Sequence, residues 1–290
     1  MNATTALSQL TDQPTLDPVA EPLSRSVRAV YESAGPAGQQ MKNAMHGVWL
    51  KHPLHPVFTD LPLGAWTTGL VLDAIAARSR DRATAEAADV AIAVGLAGAA
   101  GAAVTGLTDW SETSGRSRRE GLIHGLLNIA ATTLYATAFV LRRRGARATG
   151  QSCALAGYTV AVGAAWLGGD LVYNQRLGVT HAVVDPPETF TAVAPASDVA
   201  EGEMHRVRHG DLDLLLVRQH GRLCALAHSC SHLGGPLSEG TLKAGSVVCP
   251  WHGSEFALAD GRVINGPATH DQPCLDVRER NGQIEVKQRG

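Results

Sequence analysis

The sequence predicts a two-domain protein: an all-α bundle of four transmembrane helices, followed by a small all-β domain. Three observations carry that reading. Four apolar stretches recur at regular spacing between residues 57 and 173, the composition changes abruptly near residue 186, and short alternating runs then follow one another between glycine-containing turns. A length of 290 residues suits two domains of ordinary size.

Residues 1–45 read as a polar N-terminal tail, since MNATTALSQLTDQPTLDPVAEPLSRS is polar and proline-punctuated, with no apolar signal-peptide core and no twin-arginine start. Within it the spacing of Val27, Val30, Tyr31 and Met41 allows a surface-lying amphipathic helix. Gly35-Pro36 interrupts that pattern, and a solvated segment fits it as well.

Residues 46–181 read as the membrane domain. The apolar runs 57–77, 90–108, 122–141 and 153–173 each approach the roughly 20 residues that a helix needs to cross a bilayer. The connecting segments, such as DWSETSGRSRREG and RRRGARATGQS, are short and charged, as turns at a membrane surface are. Small residues in AVGLAGAAGAAVTG and VGAAWLGG let helix backbones approach closely where lipid removes the usual hydrophobic drive. A soluble bundle of unusually apolar helices is the competing reading. An even number of spans puts both termini on one face. Six Lys and Arg near the helix ends on that face against seven opposite leave orientation undecided by charge. The missing export signal and the unpaired cysteines favour termini inside, hence an inner-membrane protein with its β domain in the cytoplasm.

Ionisable groups in a bundle of this kind are costly and call for a function. His52, His55, Asp60, Asp109, Trp110, His124, Asp170 and His181 all fall toward the helix ends on one face. The stretches HGVWLKHPLHPVFTDLPLGAW, LTDW at 107–110, HGLLN at 124–128 and WLGGDLVY at 166–173 resemble an uncharacterised bacterial four-helix membrane domain family, over about residues 46–180. That resemblance brings no activity with it. Chemically, His55 and His124 form the best pair of axial ligands for a haem b. A quinone pocket in which His124 or Asp60 exchanges protons, or plain interfacial anchoring with Pro53 and Pro56 setting a bend, fits the same residues.

Residues 182–188, with Asp185-Pro186-Pro187, read as a linker, and residues 189–290 as the β domain, its runs LDLLLVRQ, LCALAH and QIEVKQ separated by HG, GR, DG and NG turns. Two loops stand out. Cys230-Ser-His232-Leu-Gly-Gly-Pro and Cys249-Pro-Trp-His252-Gly-Ser are separated by sixteen residues between His232 and Cys249. Each supplies one thiolate and one imidazole. A [2Fe–2S] cluster with two cysteines on one iron and two histidines on the other needs that set, and a Cys2His2 zinc site accepts the same ligand types. Gly234 and Gly235 let the backbone turn closely over the site, where amide N–H groups can point at sulfur, and Pro236 stiffens the return. His205, His209, His220, His228 and His270 read as residues of solvated turns, and Cys224 and Cys274 as packing residues.

These loops, with the flanking GPLSEG, FALADGRV and GPA, closely resemble the Rieske family across the whole domain. The resemblance implies an antiparallel β fold, a [2Fe–2S] cofactor on Cys230, His232, Cys249 and His252, and one-electron transfer at the His232/His252 edge. Members from respiratory quinol-oxidising complexes carry a further cysteine in each loop, where this chain has Gly235 and Trp251, so the disulfide of that group cannot form. Their serine is kept as Ser254, while their tyrosine is replaced by Phe256, which implies a potential toward the lower end of the Rieske range. The domain therefore resembles the ferredoxin and oxygenase-associated branch. No soluble domain remains to hold the mononuclear iron of an oxygenase. The expected protein is a membrane-anchored electron carrier whose partners are a reductase, an acceptor and membrane lipid. With 25 Lys and Arg against 27 Asp and Glu, and no continuous basic stripe, nucleic acid is not an expected partner.

Overall fold

The structure is a computed structural model that describes residues 11–290. It divides into two compact units: one holds the residues up to Ala34 together with Leu54–Gln175, the other Gly35–Pro53 together with Arg176–Gly290. The first ten residues of the stretch read as a polar tail lie outside the described residues.

In the first unit, helix α1 (Asp17–Ser33) begins with Asp17 and a proline in its first turn, where a carboxylate and a missing N–H both suit the helix N-terminus. Four of its polar side chains have tertiary partners. Ser24 Oγ and Arg28 Nη1 donate to the Ser111 carbonyl at 3.1 and 2.6 Å, Tyr31 and Thr108 share a 2.7 Å hydrogen bond, and Arg119 pairs with Asp17 at 3.1 Å. Sequence separations of 77 to 102 residues kept those partners out of local view. Helix α2 (Gly35–His46) belongs to the second unit.

Helices α3 (Leu54–Ser79), α4 (Arg82–Ser111), α5 (Gly115–Arg143) and α6 (Arg147–Tyr173) cover the four apolar runs. Asp81 caps α4 by accepting from the N–H groups of Ala83 and Thr84 at 3.2 and 2.9 Å. Three of the four, α4, α5 and α6, are long and apolar enough to cross a membrane. Helix α3 falls outside that set; its sequence is interrupted by His55, Pro56, Asp60, Pro62 and Asp73. Val57, Val71, Val90, Val104, Ile129 and Leu155 are exposed on the bundle exterior, while glycine, alanine and polar side chains fill much of its interior, as expected where the solvent is lipid.

The bundle is two copies of one helical hairpin. His55, Trp66 and Asp73 on α3 recur as His124, Tyr135 and Arg142 on α5, at the same intervals of 11 and 7 residues. On the second helix of each hairpin, Ala88, Gly95, Ala102 and Gly106 of α4 recur as Gly150, Gly157, Ala164 and Gly168 of α6, at intervals of 7, 7 and 4. These glycines seat large neighbours: a Cβ on Gly95 would lie 2.1 Å from the Trp66 ring, and one on Gly157 would lie 3.1 Å from that of Tyr135. Equivalent residues then meet across a pseudo-two-fold axis. Trp66 and Tyr135 stack with centroids 4.0 Å apart, His55 and His124 meet edge to face at 6.3 Å, and Arg142 Nη1 donates to Asp73 at 3.0 Å. The outer contacts are exchanged in the same way. Gln151 donates to Asp73 and Arg142 to Asp89, each at 3.2 Å, and Asp89 and Gln151 are themselves equivalent positions.

The second unit is built on two antiparallel sheets, whose strands are β1 (Thr191–Pro195), β2 (Met204–His209), β3 (Leu212–Gln219), β4 (Arg222–Ala227), β5 (Thr241–Lys243), β6 (Ser246–Val248), β7 (Glu255–Ala257), β8 (Val263–Asn265), β9 (Cys274–Arg280) and β10 (Gln283–Lys287). One sheet runs β1-β10-β9-β4-β3-β2 and the other β5-β6-β7-β8. The apolar run in β3 is buried on both faces. Leu215 and Val217 pack with Leu226, Val247 and Phe256, while Leu214 and Leu216 pack with Val207, Ala225 and Ile284. His220-Gly221 and Asn281-Gly282 take positive φ at both residues, the geometry that a two-residue hairpin turn requires. The N-terminal arm 35–53 is pinned to this unit by Asn43, which donates to Asn265 and accepts from the Gly266 N–H, both at 2.9 Å, and by a 2.8 Å Lys51–Asp271 ion pair. In the linker region, Val184 packs against the second core and Gln288 donates to the Pro187 carbonyl at 2.7 Å.

Glu255 ties the smaller sheet together, accepting from Ser246 at 2.6 Å, Asn265 at 2.8 Å and Lys243 at 3.1 Å. Burial pushes its pKa up, but those three donors outweigh burial and hold it below the usual glutamate range. A depressed folded pKa contributes stability above the unfolded value near 4.3 and loses it as pH falls through the folded value. Glu255→Gln is therefore expected to lower stability by about 1–3 kcal/mol at pH 7. The difference from wild type should shrink as melts are repeated toward pH 3, and a pH-independent difference would contradict the assignment.

Candidate metal centre

Two loops of the β unit share one backbone frame. In the first, the Cys230 N–H donates to the Gly235 carbonyl at 2.9 Å and the Gly234 N–H returns to the Cys230 carbonyl at 2.8 Å. In the second, Cys249 donates to Ser254 at 2.8 Å and Gly253 returns to Cys249 at 3.2 Å. Gly234 and Gly253 hold the same left-handed φ, +78° and +76°, which side-chain-bearing residues rarely adopt.

The frame brings together all four residues singled out from the sequence. Cys230 and Cys249 are buried, with their thiols hydrogen-bonded to each other. The Cys230 thiol holds the Cys249 pKa down to about 7 against the effect of burial, helped by the N–H groups of Trp251 and His252, while the Cys230 pKa is driven up. Amides of His232 and Leu233 point at the Cys230 sulfur in the same way. In both loops the amides aimed at the cysteine sulfur are thus those two and three residues after it. The His232 and His252 rings lie 5.1 Å apart and perpendicular. His232 Nδ1 is buried and has no hydrogen-bond partner among the described residues. Burial, and then the nearby His252, keep that ring well below the ordinary histidine pKa, in the neutral form that binds metal.

Gly235 is required by closeness: a Cβ there would lie 2.7 Å from Cys249 Sγ and 3.1 Å from the Trp251 ring. Ser254 is fully buried and accepts from the Ala268 N–H at 3.0 Å, which leaves its hydroxyl proton to donate elsewhere. Phe256 is part of the core around the two cysteines.

Sequence reasoning missed the residues that brace these loops. Gln272 donates to the Ala227 and Ser229 carbonyls at 2.7 Å each and accepts from the Ser231 N–H at 2.9 Å, and Ser231 Oγ donates to the His270 carbonyl at 2.7 Å. His228, expected in a solvated turn, is buried: its Nε2 lies 2.8 Å from Ser238 Oγ and its Nδ1 3.5 Å from Asp213. His228 continues an unbroken buried run, Ala225, Leu226 and Ala227, at the end of a strand covered on both faces.

In the helical unit, His55 and His124 are brought together, with Nδ1 2.9 Å from the Ala102 carbonyl and 2.8 Å from the Ala164 carbonyl respectively. Asp60 is exposed, Trp110 Nε1 donates to the Arg118 carbonyl at 2.8 Å, and Asp170 binds Asn174 and Gln175. His52 and His181 fall in the other unit, His52 edge-on to His270 at 5.8 Å, and the His181 N–H on the Ser231 carbonyl at 3.1 Å.

An antiparallel β unit that presents two cysteines and two histidines from paired loops defines an iron–sulfur electron-transfer protein, here joined to a helical membrane domain. The chain belongs to the Rieske family: residues 189–276 match the Rieske [2Fe-2S] domain, and residues 51–181 match the predicted membrane protein family DUF2231. It is 33% identical over 100 residues to ferredoxin CarAc of Metapseudomonas resinovorans, covering 34% of this chain and 94% of the ferredoxin. It is 37% identical over 115 residues to human apoptosis-inducing factor 3, covering 39% of this chain and only 19% of that relative's length. Among solved structures, the complex of reduced oxygenase and oxidized ferredoxin in carbazole 1,9a-dioxygenase aligns with 29% identity over 35% of this chain and 95% of the other, at a TM-score of 0.33. The Rieske domain implies a [2Fe–2S] cluster as the cofactor.

Proposed function

We propose that this protein is a membrane-anchored one-electron carrier, in which Cys230 and Cys249 hold one iron of the cluster and His232 and His252 the other. The observation that carries the reading is the buried, partnerless Nδ1 of His232 beside the paired thiols, a donor set left open in an otherwise hydrogen-bonded frame. Among the described residues no three His, Cys, Asp or Glu side chains converge on a single ion, as a tetrahedral zinc would demand, whereas a two-iron cluster needs only two protein ligands on each iron. When bound, the cluster supplies one-electron chemistry. The chain's own part is to keep both imidazoles neutral, to aim amide N–H groups at the thiolates, and to screen the sulfurs with Gly235, Trp251 and the surrounding core.

In this reading all four long helices span the inner membrane, α3 being admitted by its neighbours although it falls outside the set apolar enough to cross alone, and the β unit faces the cytoplasm. Support comes from the apolar exterior of the bundle and from Cys153, Cys224 and Cys274, which are all free thiols. The partners are a reductase and an acceptor protein, roles suggested by the ferredoxin and oxygenase components among the relatives. Electron paramagnetic resonance of the dithionite-reduced full chain tests the cluster assignment. A Rieske signal that disappears in Cys249→Ser and shifts in His232→Cys is expected, and an unaltered signal in either variant would overturn it.

Phe256 gives a second check. Phe256→Tyr restores the hydroxyl found in the quinol-oxidising branch, within the core that holds both cysteines. One hydrogen bond of about 1 kcal/mol favouring the reduced state corresponds to a midpoint about 40 mV higher for a one-electron couple. A redox titration that shows no rise would place position 256 out of reach of the sulfurs.

A further inference from the structure

The pseudo-two-fold axis of the bundle brings three pairs of equivalent residues together, and one pair differs from the others. The two hairpins have diverged at Trp66/Tyr135, Asp73/Arg142 and Asp89/Gln151, but both keep histidine at 55 and 124. Each also keeps what holds that histidine. Its Nδ1 meets an alanine carbonyl, Ala102 or Ala164, and its ring lies over a glycine four residues further on, Gly106 or Gly168. A Cβ on those glycines would come within 2.7 and 3.2 Å of the rings.

The hydrogen bonds fix the tautomer. A carbonyl only accepts, so both Nδ1 atoms carry a proton, and in the neutral ring the lone pair is left on Nε2, the arrangement that orients a metal-binding imidazole. Two metal–nitrogen bonds of about 2 Å separate ligating nitrogens by about 4 Å. Rings whose centroids are 6.3 Å apart can bracket that span. Asn128 Nδ2 lies 3.1 Å from His124 Nε2 and 2.9 Å from the His124 carbonyl, so it keeps a partner if the nitrogen turns to a metal.

We propose that His55 and His124 form a metal centre on the pseudo-two-fold axis, binding through their Nε2 atoms an iron porphyrin that takes two axial imidazoles. No third His, Cys, Asp or Glu among the described residues joins them, so a ligand other than protein must fill the remaining positions, as a porphyrin does. The chemistry shared with a bare divalent ion is the pair of neutral imidazoles, and the experiment separates the two sources.

The full-length chain is produced with a haem precursor, purified in mild detergent, and compared with His55→Gln, His124→Gln and the control His52→Gln. Glutamine can still donate to the alanine carbonyl, which preserves the helix contact. Extracted porphyrin and total zinc, copper and iron are measured alongside the optical spectrum and the cluster signal. About one porphyrin per chain, reduced at least tenfold in both bundle variants and retained in His52→Gln with the cluster signal intact, is the expected result. Gly106→Ala, which crowds the His55 ring but removes neither of its nitrogens, should also lower occupancy and serves if either glutamine variant fails to fold. Zinc or copper lost in both variants, without porphyrin, would replace the iron porphyrin by a bare ion and overturn the proposal as stated. Absence of any metal beyond cluster iron, even after adding hemin or zinc, or porphyrin binding unaffected by both variants, would overturn the centre altogether.

Discussion

Gln272→Leu is expected to empty the iron–sulfur site and to cost the β unit about 3–5 kcal/mol. Gln272 is almost wholly buried and makes three side-chain hydrogen bonds, to the carbonyls of Ala227 and Ser229 and from the N–H of Ser231. Those three residues bracket Cys230. Leucine matches the glutamine in bulk but leaves one N–H and two carbonyls buried without partners, each a loss of about 1–3 kcal/mol. Beyond its own short turn the first loop keeps two bonds at Ser231, from its Oγ to the His270 carbonyl and from the His181 N–H to its carbonyl. The damage therefore falls on the Ser229–Cys230 side and on the placement of the Cys230 thiol relative to Cys249. Cluster absorbance per chain should fall at least several-fold, and the thermal midpoint of the full chain should drop. Gln272→Glu sharpens the test. It keeps the acceptor for Ser231 but sets a carboxylate against two carbonyls, so it should be at least as harmful. Wild-type cluster content in both variants would mean that Gln272 does not position the loop.

That residue also shows where sequence reading stops. The two ligand loops were legible because the chemistry restricts both residue type and spacing, and the strands because inward and outward positions alternate through runs such as LDLLLV. A glutamine 41 residues from the N–H it satisfies carries no local sign of its role. The same holds for α1 and α2, where a polar composition suggested a tail while the partners, Ser111, Thr108 and Arg119 for α1 and Asn265 and Gly266 for α2, are supplied by distant sequence. The positions of the long helices were legible from their apolar runs; three of the four are apolar enough to cross a membrane, while α3 carries histidine, proline and aspartate among its apolar residues. The hairpin duplication was written in the intervals 11 and 7, and 7, 7 and 4, yet most of the matched positions on the first helices carry different residues, and on the second helices the small residues read simply as packing. Only the contacts across the axis give those intervals a meaning.

The ion cluster at the other end of that axis yields the second large expected effect. The Arg142 side chain is fully buried and joins Asp73 and Asp89, which are 10% and 15% exposed, with Arg147 as the other cation. Arg142→Met leaves two carboxylates sharing one partly exposed arginine, and removing one member of a buried ion network costs about 3–5 kcal/mol because the charges left behind stay desolvated. The sign of the effect can be reversed by subtraction. If the loss comes from uncompensated charge and not from packing, then Asp73→Asn and Asp89→Asn added to Arg142→Met should recover most of the stability, even though two more ion pairs have gone. Arg147, at 33% exposure, can turn to solvent in that variant. Unfolding of the full chain in mixed micelles of mild detergent and dodecyl sulfate gives the comparison. A triple variant as unstable as Arg142→Met would show that the arginine acts by filling space between the hairpins, where a Cβ on Gly150 would lie 2.7 Å from its Cγ, and the exchange of contacts across the axis would then reflect shape rather than charge.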